Sequence, residues 1–288
     1  MNTDQTDLQT AKQNFISDLK DLGRSSATIL AYNKDVDQLI EFVAKKNLTK
    51  TTELTTDSIE AFKEFLAQEK YTAKSISRKL NSIKTFCRFL IKNNLITENP
   101  ATSVSHPKYE IKAPRILSKM EYRSLRDVCR DDLRVYAIVE ILLQTGIRIG
   151  ELANLELDHV QDSSLHIKAF ESHGERQVPL NKAASSALTE YLKIRPKTKS
   201  KTIFVTKTGK AFLIRNIRTA IDRYFKLADI KEAKVNDLRH TFIAHQLQAG
   251  TPLTLISQLV GHKRLSTTEK YLEVVTSNSQ SPAHLEEL

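Results

Sequence analysis

The residues best suited to chemistry sit at element boundaries in the C-terminal half of the chain. In "GHKRLSTTEKYL", residues 261–272, Tyr271 follows His262 by nine positions. Tyr271 there is either a half-buried helix residue or a nucleophile, with His262 a loop residue or its helper. Those twelve residues fit both. Their punctuation is clearer. Thr251-Pro252 opens one helix and Gly261 closes it. Ser266 and Glu269 then make a capping-box pattern. Tyr271 is therefore expected in the first turns of a new helix, held in a fixed orientation. Upstream, Arg239 starts a helix in "VNDLRHTFIAHQLQAG", with Asn236 suited to its N-cap. Arg148 lies just past Gly146 in "LQTGIRIGELANL", again at a helix start. His240 and His245 are five apart, not four, and lack a third ligand, so they read as packing or hydrogen-bonding residues and no metal is expected.

The elements that must position these residues are mainly helical. "SSATILAYNKDVDQLIEFVAKKN" repeats apolar residues at helical spacing behind Ser25 or Ser26 as cap, and "TTDSIEAFKEFLAQ" does so behind Thr55 or Thr56. In "TAKSISRKLNSIKTFCRFLIKNN", Ile76, Leu80, Ile83, Cys87, Leu90 and Ile91 share one face. Lys74, Arg78, Lys84, Arg88 and Lys92 surround the other, with no acid from 74 to 92, so that face is expected to meet phosphates. Pro100, Pro107 and Pro114 break helical periodicity. We therefore expect a helical, phosphate-facing domain over 1–106, a linker over 107–116 and a second domain over 117–288. In the second domain "IRIGELANLELDHV" reads as one amphipathic helix. "SSLHIKAFESHGERQVPL" alternates as a β-hairpin turning near 172–174, and "KTIFVTKTGKAF" as a third short strand.

Length and charge agree with two domains and a polyanionic partner. The 288 residues carry a net charge of +10, with 40% hydrophobic and 27% charged residues. No apolar run is long enough to span a bilayer, and "MNTDQTDLQTAKQNF" lacks the basic-then-apolar order of a signal peptide. Cys87 and Cys129 have no metal-type spacing and are expected to be core thiols. The cytoplasm is the simplest compartment.

These pieces together resemble the tyrosine recombinase (phage-integrase-like) family, in its Xer branch. The resemblance rests on Arg148 in "TGIRIGEL", Arg239 in "LRHTFIAHQL", His262 in "LVGHKRLSTT" and Tyr271 in "TTEKYL", in that order. "GRSSATILAYNKDVDQLIEF", "SISRKLNSIKTFCRFL" and "NPATSV" extend it over nearly the whole chain. It implies a mainly α fold with a small β-hairpin, in two domains forming a C-shaped clamp on duplex DNA. It implies site-specific strand exchange by four protomers, like or unlike, on two DNA sites. Arg148 and Arg239 would clamp the non-bridging oxygens of a phosphodiester, and His262 would donate a further hydrogen bond. Tyr271 would attack phosphorus, leaving a 3′-phosphotyrosine and a free 5′-hydroxyl, with neither ATP nor metal required.

Two positions depart from the family's pattern. A histidine is usual three residues before the second arginine, where this chain has Asn236, which can hydrogen-bond but cannot carry a proton. A lysine, the general acid for the leaving 5′-oxygen, is usual five residues before the arginine matched by Arg176, where this chain has Glu171. Lys168 and His173 are the candidate replacements. Three other readings stay open: a non-cleaving DNA-binding relative, a topoisomerase-like enzyme and a plain DNA-binding regulator. The tail "SPAHLEEL" has Ser281 as cap and Pro282 at a first helical position, consistent with a short docking helix or a frayed end.

Overall fold

A computed structural model describes residues 6–110, 112–161, 163–169 and 173–278. The chain divides into two compact units, residues 1–111 and 112–288, a division that falls inside the proline-interrupted segment 107–116. Glu171, Ser281 and Pro282 lie outside the described residues.

The first unit packs four α-helices, α1 (Leu8–Asp21), α2 (Ser26–Ala44), α3 (Thr56–Gln68) and α4 (Ala73–Lys92). Each starts on a side-chain cap: Asp7, Ser25, Thr55 and Thr72 accept backbone N–H groups of the first turns. Phe15 of α1 packs on Phe86 of α4 with ring centroids 5.3 Å apart. Ile76, Leu80, Ile83, Cys87 and Leu90 are buried along α4. The basic side of α4 is less free than its own sequence suggests, because acids arrive from other helices. Asp35 of α2, 1% exposed, accepts both terminal nitrogens of Arg78 at 2.5 and 2.9 Å, Lys79 at 2.9 Å and Ser82 at 2.7 Å. Asp18 of α1 lies 3.4 Å from Lys92. Lys84 donates to the Val104 carbonyl at 3.0 Å, and Arg88 to Thr85 Oγ1 at 3.0 Å.

The second unit is built around α6 (Leu133–Thr145), whose apolar residues are buried on every side. Packed near it are α5 (Lys119–Cys129), α8 (Lys182–Ile194), α9 (Ile214–Leu227) and α10 (Val235–Gln248). The short helix α7 (Ile149–Ala153) follows α6, while α11 (Leu253–Val260) and α12 (Ser266–Asn278) follow α10. A small antiparallel sheet joins β1 (Val160–Gln161), β2 (Ser164–Ile167) and β3 (Arg176–Pro179) in that order. Leu165 pairs with Val178, and both are buried with Ile167, as the alternation predicts.

Two expectations for this unit are corrected. The helix expected over 147–160 stops at Ala153. Beyond it Leu155 accepts from Ile203 and Leu157 donates to Lys201, so the backbone finds partners in another segment and no longer in a helix. That segment, "KTIFVTKTGKAF", makes isolated bridges, Glu156 to Thr202 and Val205 to Ala211, and the third strand of the sheet is β1.

Candidate active site

Two glycines with positive φ set the backbone of the site. Gly146 (φ 62°) ends α6, and a Cβ built on it would lie 2.3 Å from the Phe242 ring of α10. Only glycine suits both the turn and the approach of α10. Its carbonyl accepts Arg239 Nη1 at 2.5 Å. Gly261 (φ 67°) ends α11 and sits against the Arg176 guanidinium, 2.9 Å from where its Cβ would be.

The carbonyls ending α11 have no helical partners and carry the negative end of the helix dipole. Three arginines from three elements use them. Arg176 Nε donates to the Leu259 carbonyl at 2.7 Å. Arg148 and Arg239 share the Val260 carbonyl, at 3.2 and 2.8 Å, and Arg148 also reaches the Gly261 carbonyl at 2.8 Å. Glu151 on α7 joins two of them. It accepts Arg176 through both oxygens, at 2.9 and 2.8 Å, and takes the Arg148 backbone N–H and Nη1 at 2.8 and 3.0 Å. Although burial opposes ionisation of Glu151, its hydrogen bonds with Arg176 and Arg148 hold the carboxyl down at about 2. One carboxylate thus faces three guanidiniums. Burial, then the charges of Arg148 and Arg176, pull Arg239 down to about 9, which leaves it charged at neutral pH. The excess positive charge is what a phosphodiester would neutralise.

His262 follows Gly261 directly, and its Nδ1 lies 2.8 Å from Oγ1 of buried Thr268. Burial, then Arg239, Arg148, His173 and Arg176, lower it to about 4, so it is neutral at pH 7. This predicts a pH effect. Unfolded His262 takes its proton near the ordinary 6.5, and folded His262 only near 4. Its contribution to stability is therefore complete above pH 6.5 and lost as pH falls toward 4. Urea unfolding followed against pH should give a flatter profile for His262→Asn than for wild type across that window.

Tyr271 is 5% exposed and packs with Phe242, Ile243, Ile256 and Val260. The ring lies 6.5 Å from that of His262 and 5.9 Å from that of His240. Burial pushes the phenol up, and Arg239 acts in the opposite direction. α12 begins at Ser266, and Glu269 N–H bonds to the Leu265 carbonyl, so Ser266 is already helical and is not the expected cap.

The structure brings Arg148, Arg239, His262 and Tyr271 together. Asn236 is exposed in the first turn of α10, where Lys234 holds the cap position and Asp237 accepts its N–H at 2.8 Å, so the N-cap reading of Asn236 is corrected. Lys168 lies at the end of β2, 3.6 Å from Glu156. His173 instead feels the charges of Arg148, Glu151, Lys263 and Arg176, which act on it after burial has already lowered it. Its Nδ1 is buried without a hydrogen-bond partner among the described residues. Sequence reasoning missed Glu151 and Arg176 as site residues. A glutamate three after Arg148, at a capping-box position, was the available signal for the first. Glu156, Asp158 and His159 also cluster, with ligand-type atoms within 4.8 Å of one another. His159 Nδ1, however, accepts the Glu156 N–H at 3.1 Å, which puts the ring hydrogen on Nε2 and removes that nitrogen as a ligand.

Comparison with known proteins agrees with this geometry. Residues 115–277 match the phage integrase family, and residues 13–94 match the phage integrase N-terminal SAM-like domain. The tyrosine recombinase XerD of Rickettsia bellii is 31% identical over 276 residues, covering 88% of this chain and 90% of that protein. Tyrosine recombinase XerC of Anoxybacillus flavithermus is 30% identical over 265 residues, covering 87% and 88%. The crystal structure of XerA recombinase superposes with a TM-score of 0.54 at 28% identity, over 95% of this chain and 99% of that one. A lambda integrase dimer bound to a COC′ core site gives a TM-score of 0.77 at 16% identity, over 99% and 82%, a likeness of fold.

Proposed function

The chain belongs to the phage integrase family, and on that premise we propose that it is a tyrosine-type site-specific DNA recombinase. Tyr271 is its nucleophile and Arg148, Arg239 and His262 its phosphate clamp. The observation that carries the reading is the convergence of Arg148 and Arg239 on the Val260 carbonyl, beside His262, with Tyr271 packed on Val260 and stacked on the His262 ring.

A phosphodiester entering this site replaces carbonyl partners with its non-bridging oxygens. The guanidiniums hold its charge, which grows in the pentavalent transition state. The Tyr271 oxygen loses its proton and bonds to phosphorus. The P–O5′ bond breaks with its electron pair on oxygen, and that oxygen is protonated as it leaves. The 3′-phosphotyrosine conserves the bond energy, so a 5′-hydroxyl from a second site can reverse the step and complete an exchange. Arg176 and Glu151 position the clamp and do not touch the phosphate.

The substrate is duplex DNA, and the exchange needs four protomers on two sites, by analogy with the lambda integrase tetramer bound to a Holliday junction. Among the described residues no helix is long and apolar enough to cross a membrane, and we place the activity in the cytoplasm. Covalent trapping on a nicked duplex tests cleavage, and a two-site exchange assay separates recombination from supercoil relaxation. A non-cleaving DNA-binding relative is the second reading, favoured by Asn236 where the family has histidine. It requires that no adduct forms.

In the first unit we assign Lys74, Arg78, Lys84, Arg88 and Lys92 to the DNA-facing side. Lys74 and Arg88 are the informative probes, because altering Arg78 also removes one of the partners of buried Asp35. Lys74→Gln with Arg88→Gln should weaken binding and reduce the slope of log K against log salt by roughly 0.9 for each phosphate no longer neutralised. Fluorescence anisotropy across a salt series measures it, and an unchanged slope removes this side from the interface.

A further inference from the structure

We infer that His240, backed by Asp237, is the base that takes the phenolic proton from Tyr271 as its oxygen attacks phosphorus. The inference rests on the recombinase reading and supplies the proton acceptor which that reading leaves unassigned.

Three side chains invite the role. Asn236 cannot hold a proton. His262 lies against the Tyr271 ring, but its Nδ1 is engaged with Thr268, and the nearby arginines oppose a second proton on it. His240 lies on the same ring, with centroids 5.9 Å apart and planes inclined at 59°. Its Nδ1 has no hydrogen-bond partner among the described residues, and Asp237 Oδ1 stands 3.4 Å away.

Asp237 is fixed independently of His240. Its Oδ2 accepts the Lys234 N–H at 2.8 Å, capping α10, and the residue is 6% exposed. One oxygen is committed to the helix and the other faces the imidazole. When His240 gains a proton, the carboxylate attracts it across a weakly screened gap, and the pair closes into a charge-assisted hydrogen bond. A carboxylate that holds an imidazole is what makes the imidazole an effective base toward a hydroxyl nucleophile in other enzymes. The step balances: the proton moves from Tyr271 to His240, the phenolate pair forms the O–P bond, and the P–O5′ pair departs with the 5′-oxygen.

The test uses the full-length protein and a nicked duplex bearing a site selected from random sequence by its binding to this protein. His240→Gln should slow single-turnover adduct formation by roughly 10²–10⁴-fold, with DNA affinity retained. Asp237→Asn, which keeps an oxygen for the helix cap, should slow it in the same direction. Replacing Tyr271 with 3,5-difluorotyrosine, a more acidic phenol, should then recover most of the rate lost in His240→Gln. A packing defect is not repaired by phenol acidity. If His240→Gln cleaves at the wild-type rate, or stays equally slow with the fluorinated phenol, the inference is overturned while a wild-type adduct preserves the recombinase reading. If wild type forms no adduct, both fall.

Discussion

Tyr271→Phe should abolish the covalent protein–DNA adduct and leave DNA binding nearly unchanged. The substitution removes one oxygen and no charge. The ring still fills the pocket made by Phe242, Ile243, Ile256 and Val260, so the fold around α12 is kept. Arg148, Arg176 and Arg239 are held by the carbonyls ending α11 and by Glu151, so the clamp for phosphate survives. Adduct formation should fall on the order of 10⁶-fold, the scale seen when a covalent nucleophile is removed. Denaturing electrophoresis of labelled nicked duplex reads the adduct, and anisotropy reads the binding. An adduct that persists in Tyr271→Phe puts the nucleophile elsewhere in the chain. The buried resting position of Tyr271 adds a second expectation. Because burial opposes phenolate formation, an electrophilic reagent that modifies phenolates should not capture the tyrosine in free protein.

Much of this site is legible in the sequence because it is built from punctuation. Gly146 and Gly261 end helices in the left-handed region, and such residues mark boundaries before any packing is known. Arg148 and His262 follow them closely, so their placement is readable from neighbouring residues. The stripe on α4 is readable for a similar reason, since its period is local. Helix α1 carries the same signal, with Leu8, Ala11, Phe15 and Leu19 behind the Asp7 cap, although sequence reasoning missed it. Partners brought by the fold are not legible. Nothing near Arg78 in sequence announces Asp35 of α2, and nothing in "GERQVP" announces that Arg176 will meet Glu151. The helix expected over 147–160 fails because Leu155 and Leu157 bond to residues 201–203, a pairing that no window of local sequence contains.

The same limit governs the general acid, where the structure separates two candidates that the sequence leaves equal. Lys168 points its charge to Glu156, while His173 sits within the field of Arg148 and Arg176. We therefore expect His173→Ala to slow cleavage of ordinary DNA by roughly 10²–10⁴-fold, and Lys168→Ala to leave it near wild type. Burial first, and then Arg148, lower His173 in the free protein, so it is largely neutral before DNA arrives. A bound phosphodiester offsets the arginine charge and favours the imidazolium. Acid catalysis then requires the protonated form, so cleavage should rise as pH falls through the bound-state value and decline as pH rises above it. A duplex whose 5′-bridging oxygen is replaced by sulfur isolates the step, because a thiolate leaves without being protonated. On that substrate His173→Ala should recover most of its rate, and the decline of cleavage with rising pH should disappear. Arg148→Ala should gain no such rescue, since it loses charge stabilisation and not proton delivery. If His173→Ala cleaves ordinary DNA at the wild-type rate, the acid is another group or water. If wild type cleaves only the sulfur-substituted duplex, proton delivery is absent from this chain, and Glu171 in the lysine's place makes the non-cleaving DNA-binding relative the better account of the protein.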